Sequence, residues 1–209
     1  MQNPQPSRVI CSQCLRPVRA CICACIQLVD FKTEVVILQH PAEVKHIKGS
    51  ARLLHLCLPG SSVVVGEQFS EEDLVSIFQQ DDKLNVLLYP ELGESPQFAV
   101  DKAGEGKDVA IRLILLDASW RKSKQMLAQN QILQSLPRYA LREMPTSRYL
   151  IRHAHAIDQL STLEACTYAL MQLESPAEKF TPLLQAFDAF NELQMQFGVN
   201  NLLRKKNAV

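Results

Sequence analysis

Five of the chain's seven cysteines fall inside one short stretch, as Cys11, Cys14, Cys21, Cys23 and Cys25. The spacing C-x2-C-x6-C-x-C offers two thiolate pairs, each short enough to clasp one side of a tetrahedral ion. Four soft thiolates select zinc or an iron–sulfur cluster, and zinc is the first candidate. The expected ligands are Cys11, Cys14, Cys21 and Cys23. Cys25 repeats the C-x-C step and is an alternative to Cys23. A disulfide framework is the competing reading. Residues 1–10 are polar and broken by proline, without the apolar run of a secretory signal, and the cysteine count is odd. A reducing compartment leaves thiols free for metal. Cys57 and Cys166 sit in apolar surroundings and read as packing residues.

A length of 209 residues suits one domain with a small appendage, and a hydrophobic share of 47 % suits a globular core. No apolar run approaches the length of a bilayer span. A soluble, cytoplasmic protein is the expectation. The formal net charge is zero but unevenly spread. Residues 67–108 hold eleven acids against three lysines, so that segment is −8 and the remainder +8. Arg8, Arg16 and Arg19 surround the cysteines, and the first acid is Asp30. Arginines on a metal-bound knob suit phosphate contact, and suit an ordinary solvated face equally well.

Beyond the cysteines, apolar runs alternate with helical patterns. EVVILQHP from Glu34 reads as a buried strand running into a loop. Residues 45–58 read as a helix interrupted at Gly49 and closed by Pro59-Gly60. SSVVVGE and NVLLYP are further short strands, with a helix after an N-cap at Ser70 between them. Residues 91–108 read as a long loop. VAIRLILLD, nearly continuous in apolar residues, is the expected central parallel strand. SWRKSKQMLAQN follows as a helix, and residues 138–143 as a fifth strand. Ser161-Thr162-Leu163-Glu164 has the form of a capping box, and a last helix carries Leu183, Leu184, Phe187, Phe190 and Phe197 on one face. The expected class is α/β, a mostly parallel sheet with helices on both faces. The expected organisation is a zinc-binding module over residues 1–30, a catalytic domain over 31–200 and a basic tail over 201–209.

Ligands collect at the carboxyl ends of strands in open α/β sheets. Three such ends stand out: Gln39-His40-Pro41-Ala42-Glu43, Leu88-Tyr89-Pro90 and Asp117-Ala118-Ser119-Trp120. Asp117 can meet a ligand or cap the next helix; Trp120 can stack on a base or pack in the core. Ser147 to Arg152 forms a fourth element, readable also as a surface loop. The five histidines lack a metal-binding spacing. Neither a glycine-rich phosphate loop nor a G-x-S-x-G elbow occurs.

C-x2-C-L-R-P-x3-C-x-C, QHPAE, GSARLL, LLYP, DASW and SRYLIR…STLEA, in this order from about Cys11 to Cys166, resemble the DTW-domain family. These are tRNA-uridine aminocarboxypropyltransferases related to SPOUT methyltransferases. The family's D-x-T-W has Ser119 in place of threonine here, and Ser50 replaces another threonine; both keep the hydroxyl. Ser123 stands where alanine is usual.

The resemblance implies that S-adenosylmethionine donates its 3-amino-3-carboxypropyl group to N3 of a tRNA uridine, leaving methylthioadenosine. It implies a SPOUT-like C-terminal trefoil knot. Asp117, Ser119 and Trp120 are the expected catalytic residues, with Asp117 either taking the N3 proton or orienting the base. Leu88, Tyr89, Pro90, Asp117, Trp120, Ser147, Tyr149, Arg152 and Ser161 are the expected donor-binding residues. Arg152 would meet the donor carboxylate, and Ser161 and Glu164 serve either the capping box or the donor. Structural zinc would fold the N-terminus, and Arg16, Arg19, Lys48, Arg52 and Arg121 would contact tRNA. The rival readings are a SPOUT-type RNA methyltransferase and a non-enzymatic zinc-ribbon RNA-binding protein. The tRNA position and the choice of monomer or homodimer are not legible.

Overall fold

The structure is a computed structural model that describes residues 9–78, 81–90, 98, 109–142, 147 and 160–206. Its sheet has five strands: β1 (Glu34–Gln39), β2 (Ser62–Val65), β3 (Leu84–Leu88), β4 (Ile111–Asp117) and β5 (Arg138–Tyr139). Their order is β2-β1-β4-β3-β5, and every pairing is parallel. The two most completely buried strands, β1 and β4, lie side by side in the interior, where both faces need apolar cover.

Among the described residues, six α-helices supply that cover: α1 (Ala51–Cys57), α2 (Glu71–Phe78), α3 (Trp120–Gln129), α4 (Gln131–Ser135), α5 (Thr162–Leu173) and α6 (Thr181–Lys206). Alternation along the strands divides the core in two. Val35, Ile37, Leu113 and Leu115 pack with residues of α1, α5 and α6; Val36, Leu38, Ile114 and Leu87 pack with residues of α2, α3 and α4. Helices therefore lie on both faces, as the alternating pattern implies. Cys57 and Cys166 are fully buried in the first cluster.

The cysteine segment belongs to that same cluster. Cys14, Ile22, Cys25 and Val29 are buried with α1, α5 and α6, so residues 9–30 are docked on the main core. Val29 N–H donates to the Cys57 carbonyl, and Gln27 N–H to Cys57 Sγ. At the other end of the chain, helix α6 runs to Lys206.

Local differences from the sequence reading have physical causes. The expected helix over 45–58 begins only at Ala51, because residues 41–49 form short turns closed by Gly49 N–H to the His46 carbonyl. A Cβ on Gly49 would meet that carbonyl at 3.1 Å, so glycine permits the tight return. The fifth strand is two residues long, Arg138–Tyr139, rather than six. Phe98 N–H donates to the Arg138 carbonyl, and its ring meets Tyr139 edge-on at 6.1 Å. The rest of the expected loop over 91–108 lies outside the described residues, as do Arg8 and the expected site residues Tyr149 and Arg152.

The chain's direction reverses between β1 and β4. From β1 it moves outward to β2; from β4 it crosses to β5 at the opposite edge. In open parallel sheets, ligand crevices form at the carboxyl ends of two such strands. Gln39, the last residue of β1, is in register with Asp117, the last residue of β4.

Candidate metal centre and active site

Cys11 and Cys14 bracket a tight knuckle. Cys11 N–H donates to the Arg16 carbonyl and Leu15 N–H to the Cys11 carbonyl, with Leu15 in the left-handed region at φ 57°. The second pair, Cys21 and Cys23, lies where one 3-10 turn ends and the next begins. The four sulfurs lie within 4.8 Å of one another, with Cys11–Cys23 at 3.6 Å and Cys14–Cys21 at 3.7 Å. A tetrahedral zinc with bonds of about 2.3 Å has sulfur–sulfur edges of about 3.8 Å. None of the seven cysteines is disulfide-bonded. Cys25 stands apart from this group, buried against the core, and burial pushes its thiol up.

The protonation of the group fits a cation. Backbone N–H groups of Cys14 and Gln13 hold Cys11 down at about 6. Burial first, then hydrogen bonds with the neighbouring thiols, push Cys23 up to about 12. Four adjacent thiols cannot all ionise unaided; a divalent ion removes that repulsion.

Two arginines expected at the RNA face hold this module in place. Arg16 donates from Nη1 to the Ile47 carbonyl (2.9 Å) and from Nη2 to the Gly49 carbonyl (3.0 Å), and lies 5.2 Å over the Phe190 ring of α6. Arg52 on α1 donates back to the Gln13 carbonyl at 2.6 Å. Arg19 and Arg121 are exposed, and Lys48 is half-buried in the turns before α1.

At the crevice, Asp117 is 5 % exposed. Its Oδ2 accepts from the Gln39 amide at 2.8 Å, and its Oδ1 from the Thr162 hydroxyl at 2.6 Å. Three elements thus converge on one carboxylate: β1, β4 and the first turn of α5. Asp117 is a strand-end residue, and Ser119 occupies the N-cap of α3 without a side-chain cap bond. The N-terminus of α5 is fixed by the capping box, in which Ser161 N–H donates to Glu164 and Glu164 N–H to Ser161 Oγ. Ser147 Oγ donates to the same Glu164 carboxylate. Ser50, the N-cap of α1, accepts from Leu163 N–H at 3.2 Å and ties the starts of the two helices together.

The opposite face of the sheet carries an aromatic step. Trp120 remains 39 % exposed, and Tyr89 meets it edge-on with ring centres 6.0 Å apart. The Tyr89 hydroxyl shares a hydrogen bond with Ser123 Oγ at 3.2 Å, so this serine supplies a buried phenol with a partner that alanine lacks. Arg138 lies 5.7 Å over the other side of the step, on the Tyr89 ring. Leu88 is half-buried and Pro90 exposed at the end of β3. The described residues therefore bring together Asp117 with Gln39 and Thr162, Tyr89 with Trp120, and Ser161 with Glu164 and Ser147. Thr162 and Arg138 were not legible as site residues: one lies inside a capping box, the other inside an ordinary strand pattern.

A family model described as the DTW domain matches residues 8–195. The chain belongs to the DTW-domain family. Relatives within reach include "tRNA-uridine aminocarboxypropyltransferase 2" of Drosophila melanogaster, 32 % identical over 94 % of this chain and 79 % of that protein. The protein of the same name in Macaca fascicularis is 29 % identical over 98 % of this chain and 70 % of that protein. "tRNA-uridine aminocarboxypropyltransferase A" of Arabidopsis thaliana is 23 % identical over 63 % of this chain and 55 % of that protein. No solved structure matches the chain. Within this DTW domain, no described helix is long and apolar enough to cross a membrane.

Proposed function

We propose that the protein transfers the 3-amino-3-carboxypropyl group of S-adenosylmethionine to N3 of a uridine in tRNA. Family membership and the names of the relatives support a tRNA-uridine transferase. The observation that carries the chemistry is Asp117: a buried carboxylate at the reversal point of a parallel sheet, oriented by two neutral donors.

S-adenosylmethionine supplies a sulfonium with three electrophilic carbons. Uracil N3 attacks the γ-carbon of the aminocarboxypropyl arm, the new N–C bond replacing the S–C bond. The electron pair of the broken bond stays on sulfur in methylthioadenosine, and the N3 proton passes to Asp117. Each Asp117 oxygen accepts one described bond, which fixes the plane in which the carboxylate meets the N3 proton. Gln39 and Thr162 position that carboxylate, and Trp120, half-exposed at the mouth, offers a face for a base. Leu88, Tyr89, Pro90, Ser147, Tyr149, Arg152 and Ser161 border the donor within a SPOUT-like trefoil knot. Ser119 lies between Asp117 and Trp120, with its hydroxyl uncommitted to capping.

Zinc on Cys11, Cys14, Cys21 and Cys23 is structural in this reading, since four thiolates leave no position for water or substrate. Arg19, Lys48 and Arg121 contact tRNA phosphates, while Arg16 and Arg52 hold the zinc module that presents them. The enzyme acts in the cytoplasm, where its tRNA substrate is.

The test is incubation with unmodified tRNA and the donor, followed by nucleoside mass spectrometry. An aminocarboxypropyl adduct on uridine is expected. A methyl adduct overturns the reading in favour of a methyltransferase; tRNA binding with no adduct overturns it in favour of a binding protein.

A further inference from the structure

Two arginines are buried in this protein on sheet strands, and they differ in one respect. Arg112, at the amino end of β4, is ion-paired to Glu34 and Asp81. Arg138, on β5, is 6 % exposed, and its Nε and Nη1 are buried without a hydrogen-bond partner among the described residues. Stacking on Tyr89 compensates part of the positive charge but satisfies no N–H group. A desolvated guanidinium with unmet donors is a poor resting arrangement for a folded protein, and it calls for an anion.

The position says which anion. Arg138 is in register with Leu87, near the carboxyl end of β3. It stacks on Tyr89, which in turn meets Trp120, only three residues beyond Asp117. The ladder thus runs from a buried cation to the half-exposed Trp120 ring at the carboxyl ends of the strands. A polyanionic RNA backbone is too bulky to reach a side chain with so little accessible surface. A carboxylate on a flexible arm can reach it, and suits a planar guanidinium.

We propose that Arg138 binds the α-carboxylate of the donor's aminocarboxypropyl arm. The inference rests on the donor reading above. It also supplies a means of choosing among the three sulfonium carbons: an arm held at its far end presents its γ-carbon and turns the methyl away. Arg152, expected from sequence in this role, lies outside the described residues.

Calorimetry with three ligands tests it: S-adenosylmethionine, its decarboxylated analogue, and methylthioadenosine, which lacks the arm. The wild type should prefer S-adenosylmethionine to the decarboxylated form by about 10- to 100-fold, or about 1.4–2.8 kcal/mol. Arg138→Met should erase that preference and leave methylthioadenosine affinity unchanged; Arg138→Lys should restore part of it. The proposal falls if Arg138→Met discriminates as the wild type does, or weakens all three ligands equally. It falls too if only tRNA affinity drops, or if Arg152→Met alone removes the preference. Should Arg138→Met not fold, equal binding of the two donors by wild type still overturns the proposal. A wild type that binds none of the three overturns the donor reading itself, a separate result.

Discussion

In the proposed reaction Asp117 concentrates the chemistry, because a side chain at the end of a central strand has few directions to point. Its backbone is locked by pairing with Gln39, and its carboxylate by Gln39 and Thr162. Asp117→Asn should lower single-turnover transfer by about 10²- to 10⁴-fold, the usual worth of a general base, with fold and zinc content retained. Near-normal turnover would remove Asp117 from the chemistry. Thr162→Val should act through Asp117. A loss of about ten- to a hundredfold in kcat is expected, with KM for the donor little changed. Its pH–rate profile should be displaced, which a purely structural defect would not produce. Capping bonds explain why Ser161 and Glu164 read ambiguously from sequence. Their side chains close the first turn of α5, and that same turn delivers Thr162.

Docking of the cysteine module depends on elements distant in sequence. Local spacing gathers the four sulfurs, but Arg16 and Arg52 lock the module to the turns before α1 and to α6. Arg16→Ala should cost about 1–3 kcal/mol of stability by removing charged hydrogen bonds to two carbonyls, measured by denaturant unfolding. It should also speed zinc release to a chelator. Stripping the proposed metal should lower Tm and free four thiols to a thiol reagent, as expected of a module whose four clustered cysteines fold on an ion. An unchanged Tm after complete metal removal would deny zinc its structural part. Arg19→Glu and Arg121→Glu, by contrast, should leave stability alone and reduce the salt dependence of tRNA binding by about one unit of slope each.

At the scale of the whole molecule, a cluster of ion pairs stands at the end of the sheet opposite Asp117. There Arg112 and Lys83 bridge Glu34 and Asp81. Burial pushes the Glu34 carboxyl up, but hydrogen bonds from Arg112 and Lys83 outweigh it and hold it below its ordinary value of 4.5. Glu174 behaves alike: burial raises it, while Lys179 and the amides of Thr33 and Lys32 bring it lower. Carboxyls depressed on folding contribute stability that is complete above their unfolded values and is lost as pH falls through the folded ones. Thermal melts across the acid range should show Tm falling below about pH 4.5, and Glu34→Gln should flatten that fall. Arg112→Met should destabilise by about 3 kcal/mol, since it strands acids around a vacated buried site.

Periodicity and spacing alone decided much of this protein. Alternating apolar runs and helical patterns required a covered parallel sheet, cysteine spacing defined a four-sulfur cage, and the S-x-x-E signature marked where α5 begins. These are local features, written within a few residues of one another. Tertiary structure decided what local pattern cannot carry. It chose Cys23 over Cys25 for the cage, because Cys25 turns into the core. It committed Arg16 and Arg52 to the module, and it cut the fifth strand to Arg138–Tyr139. It also brought Gln39 and Thr162, 123 positions apart in the chain, onto one carboxylate. Strand order sets such meetings, and strand order arises from how crossover helices pack, which no single segment encodes.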